Sequence, residues 1–392
     1  MPMPSLILSL VVLSPSLLIS LAFSPMIGIN YGQVANNLPS PEKVIPLLRS
    51  IGVNRVKLFD TNPNILRSFA GTDIELTVGL PDPLIPQIRD PATALSWIRS
   101  NIKPYLLRTK ISAITVGNEV LTSNDSALIQ NLLPAMKSVH YALASVGLDR
   151  RIAVTTAHSL TVLSSSYPPS AGAFQPGLLT YICPLIHFLN KTRSPFLINA
   201  YPFFAYKADP KRVSLDYVLF RPNAGVVDNS TGLRYGNMLH AQVDALLAAV
   251  AAAGVERTVE VRVSETGWPS AGDDDEVGAS PENARMYNGN LMKMVAGGKG
   301  TPMRPESPLQ VYVFALFNEN LKPGPTSERH YGLFKPDGTP AYDLTASLRA
   351  VNSTTGFEKS PPRLTGPMST GSFHTGTSSA SVSESSPRNF LT

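Results

Sequence analysis

The chain has 392 residues, of which 43% are hydrophobic, so it can bury a large core. Only 16% are charged, and the formal net charge of +5 comes from scattered lysines and arginines. This pattern excludes an acidic disordered protein and argues against a nucleic-acid partner. The single cysteine, Cys183, excludes a disulfide-stapled accessory module, and we interpret it as a buried structural thiol.

The chain begins with an apolar, uncharged stretch over residues 5–23. We predict a signal peptide over residues 1–24 and therefore a secreted protein. A membrane anchor is the alternative, but Pro15 and several serines interrupt the stretch, so we expect no stable membrane insertion after signal removal. Four glycosylation sequons fit secretion, and they begin at Asn124, Asn190, Asn229 and Asn352.

Eight β-rich runs follow, and most are apolar throughout, as expected of strands buried on both faces of a parallel sheet. Helical patterns lie between them, and together they predict an α/β (β/α)8 TIM barrel over residues 25–351. An open doubly wound sheet is the alternative, but no glycine-rich phosphate loop follows the first run. The runs cover residues 27–32, 53–60, 74–81, 112–120, 151–159, 196–204, 259–267 and 309–320, and the helical patterns cover 41–52, 94–107, 237–253 and 281–296.

The composition changes after residue 351. Residues 352–392 are rich in Ser, Thr, Gly and Pro and contain few large apolar side chains. Such a segment buries too little surface to offset its ordering entropy, so we predict a disordered tail.

Carboxylates and aromatic residues recur where the predicted strands end. In a (β/α)8 barrel these ends build the active site, and a pair of carboxylates with aromatic neighbours suits glycosidic-bond hydrolysis. The six histidines are dispersed and no G-x-S-x-G motif occurs, which argues against a zinc site and a serine hydrolase. The strand-end groups are Asn30–Gly32, Gly117–Glu119, Asn199–Tyr201, Ser264–Trp268 and Asn318–Asn320.

Three other strand-end residues have a structural alternative. We interpret Asp60 as a turn or capping residue, and His158 as either a cleft residue or a structural histidine. Trp268 either packs beneath the site or contacts a sugar directly.

Side-chain alternation predicts where the two central glutamates point. Val259, Val261, Val263 and Glu265 share one parity, so Glu265 faces the barrel mouth if the valines fill the interior. Arg262 would then face the helix layer, where a charge is unusual. In the fourth run Glu119 would face the mouth, and Asn118 would point away unless a bulge turns it into the cleft.

Seven motifs spread over the predicted barrel support a family resemblance. In chain order they are IGINYGQVANNLPSP (27–41), VKLFD (56–60), VGNEV (116–120), NAYPFF (199–204), VSETGWPSAG (263–272), FALFNENLK (314–322) and ERHYGLFKPDGTPAY (328–342). With these motifs the chain resembles the plant β-1,3-glucanases of glycoside hydrolase family 17.

The resemblance implies a (β/α)8 fold and retaining hydrolysis of internal β-1,3-glucosidic bonds in callose and laminarin-type glucans, without cofactor or metal. It implies that Glu119 is the general acid/base and Glu265 the nucleophile. By the same similarity, the substrate-binding residues are Tyr31, Asn118, Tyr201, Phe204, Glu319, Lys322 and Glu328.

Three alternatives stay open at this point. A β-1,3-glucan transglycosylase or a mixed-linkage glucanase would use the same two carboxylates, and a cell-wall glucan-binding protein would have lost activity. The expected partner is β-1,3-glucan, the expected state is a monomer, and the expected location is extracellular or in the cell wall, with the vacuole as alternative.

Overall fold

A computed structural model describes residues 26–254 and 259–344 of the chain. The predicted signal peptide and the predicted tail lie outside these residues. Eight parallel strands close into a barrel in which the last strand pairs with the first, so the (β/α)8 prediction is confirmed and an open sheet is excluded. The strands are β1 Ile27–Asn30, β2 Arg55–Lys57, β3 Glu75–Leu80, β4 Lys110–Asn118, β5 Ala153–Ser159, β6 Phe196–Asn199, β7 Val261–Thr266 and β8 Gln310–Val313.

Within the described residues, ten α-helices lie in the connections between the strands. The four predicted helical patterns are present, and the last one begins at Pro281, after Ser280 caps the helix by accepting a hydrogen bond from the Asn283 amide at 3.2 Å. The helices are α1 Pro41–Ser50, α2 Pro63–Ser68, α3 Ile85–Ile88, α4 Pro91–Asn101, α5 Ser126–Ser145, α6 Leu179–Thr192, α7 Pro202–Ala208, α8 Leu215–Val218, α9 Met238–Ala252 and α10 Pro281–Ala296. In the ranges that the structure describes, no helix combines the length and the apolar composition needed to cross a bilayer.

The barrel interior is polar, whereas the outer face of the strands is apolar. The Tyr312 hydroxyl on β8 lies 3.5 Å from the Thr77 hydroxyl on β3, and two strands separate β8 from β3 around the barrel. Such a contact can run only through the interior. Gly28 provides the space for it, because a Cβ at Gly28 would collide with the Tyr312 ring. Between these interior positions, Leu76 and Val78 on β3 are fully buried against the helix layer.

The expected interior position of the β7 valines is wrong. Val263 pairs with Val311, the neighbour of the inward-facing Tyr312, so Val263 faces the helix layer. Ser264 is the residue that faces inward, where its hydroxyl donates to Asn199 at 2.6 Å. Glu265 still reaches the barrel mouth, because the β7 ladder shifts register between Val263 and Glu265.

Arg262 lies at the amino-terminal end of the barrel rather than in the helix layer. It pairs in register with Gln310 and makes two hydrogen bonds, of 2.7 and 2.9 Å, to the Glu260 carboxylate. Gln310 donates to Glu260 and accepts from Arg55, which in turn binds Glu75. This connected set of charged and amide groups links β2, β3, β7 and β8 at the end opposite the mouth.

Candidate active site

Glu265 lies at the mouth of the barrel with a cation and a phenol on its two oxygens. Lys57 Nζ lies 2.6 Å from Oε1, and the Tyr201 hydroxyl donates to Oε2 at 3.0 Å. Both ends of the ion pair are buried, since the side chains of Lys57 and Glu265 are 2% and 8% exposed. Lys57 also lies 4.2 Å from the centre of the Phe59 ring. These contacts give each oxygen of Glu265 a partner and fix the orientation of the side chain.

Glu119 reaches the same mouth through an irregular strand end. The pairing of β4 with β5 shifts register between Thr115 and Asn118, as the sequence analysis allowed. Gly117 and Glu119 have positive φ angles of 68° and 56°. The turn brings both Asn118 and Glu119 to Asn199, whose amide donates to Glu119 at 2.8 Å and lies 3.5 Å from Asn118 Oδ1.

The two glutamates have different electrostatic environments. Burial, followed by the negative charge of Glu265, raises the pKa of Glu119 above its ordinary value. The Asn199 hydrogen bond and the charge of Lys57 oppose this shift without cancelling it. Glu265 has the direct cation contact that Glu119 lacks. Of the two glutamates, Glu119 is therefore the one whose surroundings favour the protonated form, and Glu265 is the one that contacts a cation.

Glu319, Lys322 and Glu328 form a second charged group beside the first. Glu319 is 3% exposed and accepts a hydrogen bond from the Val34 amide at 2.7 Å. Its carboxylate occupies the space that a Cβ at Gly32 would need. Lys322 lies 4.0 Å from Glu328 and 4.4 Å from the centre of the Phe314 ring. Burial raises the pKa of both glutamates, and the charge of Lys322 limits the rise.

The family of this chain follows from its similarity to known proteins. The profile described as "Glycosyl hydrolases family 17" matches residues 27–346. The chain belongs to glycosyl hydrolase family 17. It is therefore a glycoside hydrolase.

Relatives of this family 17 hydrolase cover most of the chain. It is 58% identical over 344 residues to Glucan endo-1,3-beta-glucosidase 11 of Arabidopsis thaliana, covering 87% of this chain and 80% of that protein. It is 43% identical over 342 residues to Glucan endo-1,3-beta-D-glucosidase of Olea europaea, covering 87% and 74%. Among solved structures, CJP38, a β-1,3-glucanase and allergen of Cryptomeria japonica pollen, matches with a TM-score of 0.77 and 42% identity, over 81% of this chain and 98% of the other.

The aromatic residues of the family 17 site differ in exposure. Tyr201 is half-buried and packs against Phe204 and Tyr331, with ring centroids 5.4 and 5.7 Å apart. Phe204 is 45% exposed, so one ring is open to solvent beside the mouth. Tyr31 is only 2% exposed, and it packs edge-on against Phe317 beneath the surface.

Three further strand-end residues have structural positions in this hydrolase. Trp268 is fully buried and donates its indole N–H to the Gly278 carbonyl at 2.8 Å, so it packs beneath the site. His158 is fully buried on the outer face of β5, with its ring 4.6 Å from that of Phe196. Asp60 accepts from the Asn62 amide at 2.9 Å and shapes the turn before α2.

Sequence reasoning missed one residue of the site and gave no role to another. Lys57 lies in the VKLFD motif but was not proposed as a site residue, and Asn199 was named only as part of a strand-end group. The available signal for Lys57 was a charged residue within an otherwise apolar strand run. Lys57 also lines a concavity of about 240 Å³, which extends past Phe59 to Asn118. Across the described ranges, no three His, Cys, Asp or Glu side chains cluster closely enough to hold a metal ion.

Proposed function

We propose that this chain is a retaining endo-β-1,3-glucanase in which Glu119 is the general acid/base and Glu265 the nucleophile. The observation that supports the proposal is the electrostatic difference between the two glutamates. Burial and the charge of Glu265 raise the pKa of Glu119, while Lys57 neutralises the charge of Glu265 at 2.6 Å. Retaining hydrolysis needs one carboxylic acid and one carboxylate, which is the state that this difference favours.

In the first step, a Glu265 carboxylate oxygen attacks the anomeric carbon of the glucosyl unit. The bond from that carbon to the glycosidic oxygen breaks, and the departing oxygen takes the proton of Glu119. The products are a glucosyl ester on Glu265 and an ionised Glu119. The Lys57 and Tyr201 hydrogen bonds orient Glu265 for this attack, and the Asn199 amide orients Glu119.

In the second step, Glu119 acts as a base. It takes a proton from water while the water oxygen attacks the anomeric carbon, and the ester bond to Glu265 breaks. Two displacements at the same carbon restore the original β configuration, and both glutamates return to their starting charges.

The substrate assignment comes from the names of the relatives, which are glucan endo-1,3-beta-glucosidases. We assign Asn118, Tyr201 and Phe204 to contacts with glucosyl units, because aromatic faces and amides suit sugar faces and hydroxyls. Tyr31 lies beneath this surface, so its assigned contact requires it to become exposed when glucan binds. We assign Glu319, Lys322 and Glu328 to the charge balance around Glu265.

The same proposal includes action outside the cytoplasm, in the extracellular space or cell wall. It rests on the predicted signal peptide and on the sequons, of which Asn124 and Asn229 are exposed and Asn190 is half-buried. Expression of the full chain in plant cells, with glycosidase-sensitive mass measured on the secreted fraction, tests this part separately.

The roles of the two glutamates are tested with laminarin and with an aryl β-laminaribioside that has a good leaving group. Glu119→Ala should lower laminarin hydrolysis about 10²–10⁴-fold, and Glu265→Ala by on the order of 10⁴ or more. Added azide should rescue both variants on the aryl substrate. Glu265→Ala should give the α-glycosyl azide by one displacement, and Glu119→Ala the β-glycosyl azide through the glucosyl-enzyme.

Exchange of the two azide products between the variants would reverse the assigned roles. Parent-level laminarin hydrolysis by either variant would overturn the mechanism. Product sizing on laminarin and on barley mixed-linkage glucan decides the linkage, and faster cleavage of the mixed-linkage polymer would overturn the substrate assignment.

A further inference from the structure

One face of the barrel, opposite the mouth, is strongly basic. Six cationic side chains lie in or directly beside the turns that lead into three neighbouring strands, β4, β5 and β6. All six are exposed, and within residues 26–254 and 259–344 none makes a salt bridge or a side-chain hydrogen bond. We call this surface the basic face and define it by Arg108, Lys110, Arg150, Arg151, Lys191 and Arg193.

The basic face is recessed rather than flat. One concavity of about 680 Å³ is lined by Arg150, Arg151, Lys191 and Arg193, and another of about 480 Å³ by Arg108, Lys110 and Arg151. Both concavities share Ser112 and Arg151, so they form one continuous groove across the three turns. Such a groove suits an extended chain better than a flat bilayer.

The charge of this face is almost uncompensated. The acidic residues that line the groove are Asp149 and Glu75, and Glu75 is already paired with Arg55 at 2.9 Å. Six positive charges and the negative charge of Asp149 give the basic face a net charge equal to that of the whole chain, which is +5. Holding so many like charges together without counter-ions costs stability, and a polyanion in the groove would remove that cost.

The mouth has the opposite balance. Two lysines face four glutamates there, of which Glu119 favours the protonated form, so the catalytic end has no excess of positive charge and attracts a polyanion less than the basic face does. The β4 strand separates the ends by about 26 Å from Lys110 to Asn118, at about 3.3 Å per residue. Both ends can therefore be occupied at once. The mouth residues concerned are Lys57, Lys322, Glu119, Glu265, Glu319 and Glu328.

We propose that the basic face binds a polyuronate, an acidic polysaccharide whose carboxylates repeat along the chain. Four of the six cations are arginines, whose forked donors match carboxylates in pairs. No Phe, Tyr or Trp lines either concavity, which disfavours single-stranded nucleic acid, because base stacking on aromatic side chains contributes much of the affinity for that ligand. The interaction tethers the hydrolase to an acidic matrix and leaves the mouth free for neutral glucan.

The test compares two triple variants of the full chain on immobilised polygalacturonate. Arg150→Gln/Arg151→Gln/Lys191→Gln removes charge from the basic face. Lys43→Gln/Arg49→Gln/Lys293→Gln removes equal charge from exposed positions on α1 and α10, which are also without a salt bridge among the described residues. Fully methyl-esterified polygalacturonate is the neutral polymer control.

The parent should bind polygalacturonate at low salt, release it as salt rises, and ignore the esterified polymer. The basic-face variant should bind about tenfold more weakly, because three exposed cation–carboxylate pairs are lost, whereas the α1/α10 variant should bind like the parent. All three proteins should hydrolyse laminarin equally. Equal weakening in both variants, or absence of parent binding, would overturn the proposal.

Anionic phosphatidylserine vesicles form the last arm, because Leu107 is 93% exposed beside Arg108 and offers an apolar contact for a bilayer. Vesicle binding without polygalacturonate binding would replace the polysaccharide by a membrane surface. Loss of laminarin hydrolysis by the parent itself would contradict the proposed function and leave the polygalacturonate result unaffected.

Discussion

The charge state of the site depends on one buried lysine. Lys57 extends from β2 through the barrel interior to Glu265 on β7, and the two strands are separated by β1 and β8. Removing one partner from a buried ion pair costs about 3–5 kcal/mol, because the other charge is left buried without compensation. Lys57 therefore compensates the buried charge of Glu265 by direct contact.

Lys57→Met should move the acidic limb of the kcat/KM profile to higher pH. Without the cation, the ionised form of Glu265 is less favoured, so activity is lost at a pH where the parent is still active. We expect kcat/KM at neutral pH to fall about 10²-fold, equivalent to about 3 kcal/mol. The measurement is laminarin hydrolysis from pH 3 to 8 with both proteins.

Arg55→Met is the matched control for this substitution. Arg55 also lies on β2, on the side of the strand that faces the barrel interior. It is paired with Glu75, at the end of the barrel opposite the mouth. Its replacement should lower stability without moving the acidic limb. An unchanged limb in Lys57→Met, or an equal displacement in Arg55→Met, would contradict the assigned contact.

The sequence indicated a site at Glu119 and Glu265 but not the lysine between them. Lys57 and Glu265 are 208 positions apart, and their contact depends on the barrel diameter and the register of β2 and β7. No local pattern reports such a pairing. The sequence shows that Lys57 lies within an apolar run, but it does not show that Glu265 is its partner.

At the scale of elements, irregular strand ends aim the two glutamates. The register shifts of β4 and β7 allow adjacent residues to reach the mouth, against simple alternation. Alternation therefore gave the correct direction for Glu265 for the wrong reason, since Ser264 and Arg262 face inward and Val263 outward. Only the bulge allowed for Asn118 could be named in advance, because its strand end contains Gly117.

Gly117→Ala should damage activity through the position of Glu119. Gly117 has a φ of 68°, and a Cβ there would collide with Val120, Ile85 and Asp82. We expect a stability loss of about 1–2 kcal/mol from the backbone strain alone, and a fall in kcat with little change in KM, because Asn118 and Glu119 shift together. Chemical unfolding and steady-state kinetics on laminarin measure the two effects.

Gly147→Ala separates strain from clash. Gly147 has a φ of 72°, and a Cβ there meets nothing within 4 Å. This control variant should lose a similar amount of stability through backbone strain, while its kcat stays at the parent value. Parent-like kcat in Gly117→Ala would show that the turn does not position Glu119.

At the scale of the whole molecule, counting eight apolar runs was enough to predict the barrel. Several helices were not predicted, including α5 and α6, which contain Pro134 and Pro184 in their interiors. Proline within a pattern argues for a helix end, and here packing on the barrel overrides that preference. The fold was therefore predictable from the number and order of the apolar runs, and the helix layer only in part.

The whole barrel should lose stability as the pH falls below about 6.5. Burial lowers the pKa of His158 from 6.5 to about 3. Between these values the unfolded chain binds a proton that the folded chain does not, so the free energy of unfolding rises with pH across this window. We expect His158→Phe to reduce the loss between pH 7 and pH 4.5 by about 2–3 kcal/mol.

Urea unfolding of parent and variant at both pH values provides this measurement. The comparison at pH 7 isolates the packing cost of the new ring against Phe196, and the difference between the two pH values isolates the proton. An equal pH dependence in both proteins would show that His158 is protonated in the folded state.

The Lys57–Glu265 ion pair depends on the closure of the barrel. The cation and the carboxylate belong to strands on different sides of the ring, so they touch only while the intervening β1 and β8 keep the ring at its native circumference. Any loosening of the seam where the last strand meets the first separates the pair before the surrounding helices come apart. With Glu265 as the proposed nucleophile, we therefore expect hydrolysis to stop when the barrel loosens at this seam, before the helix layer unfolds.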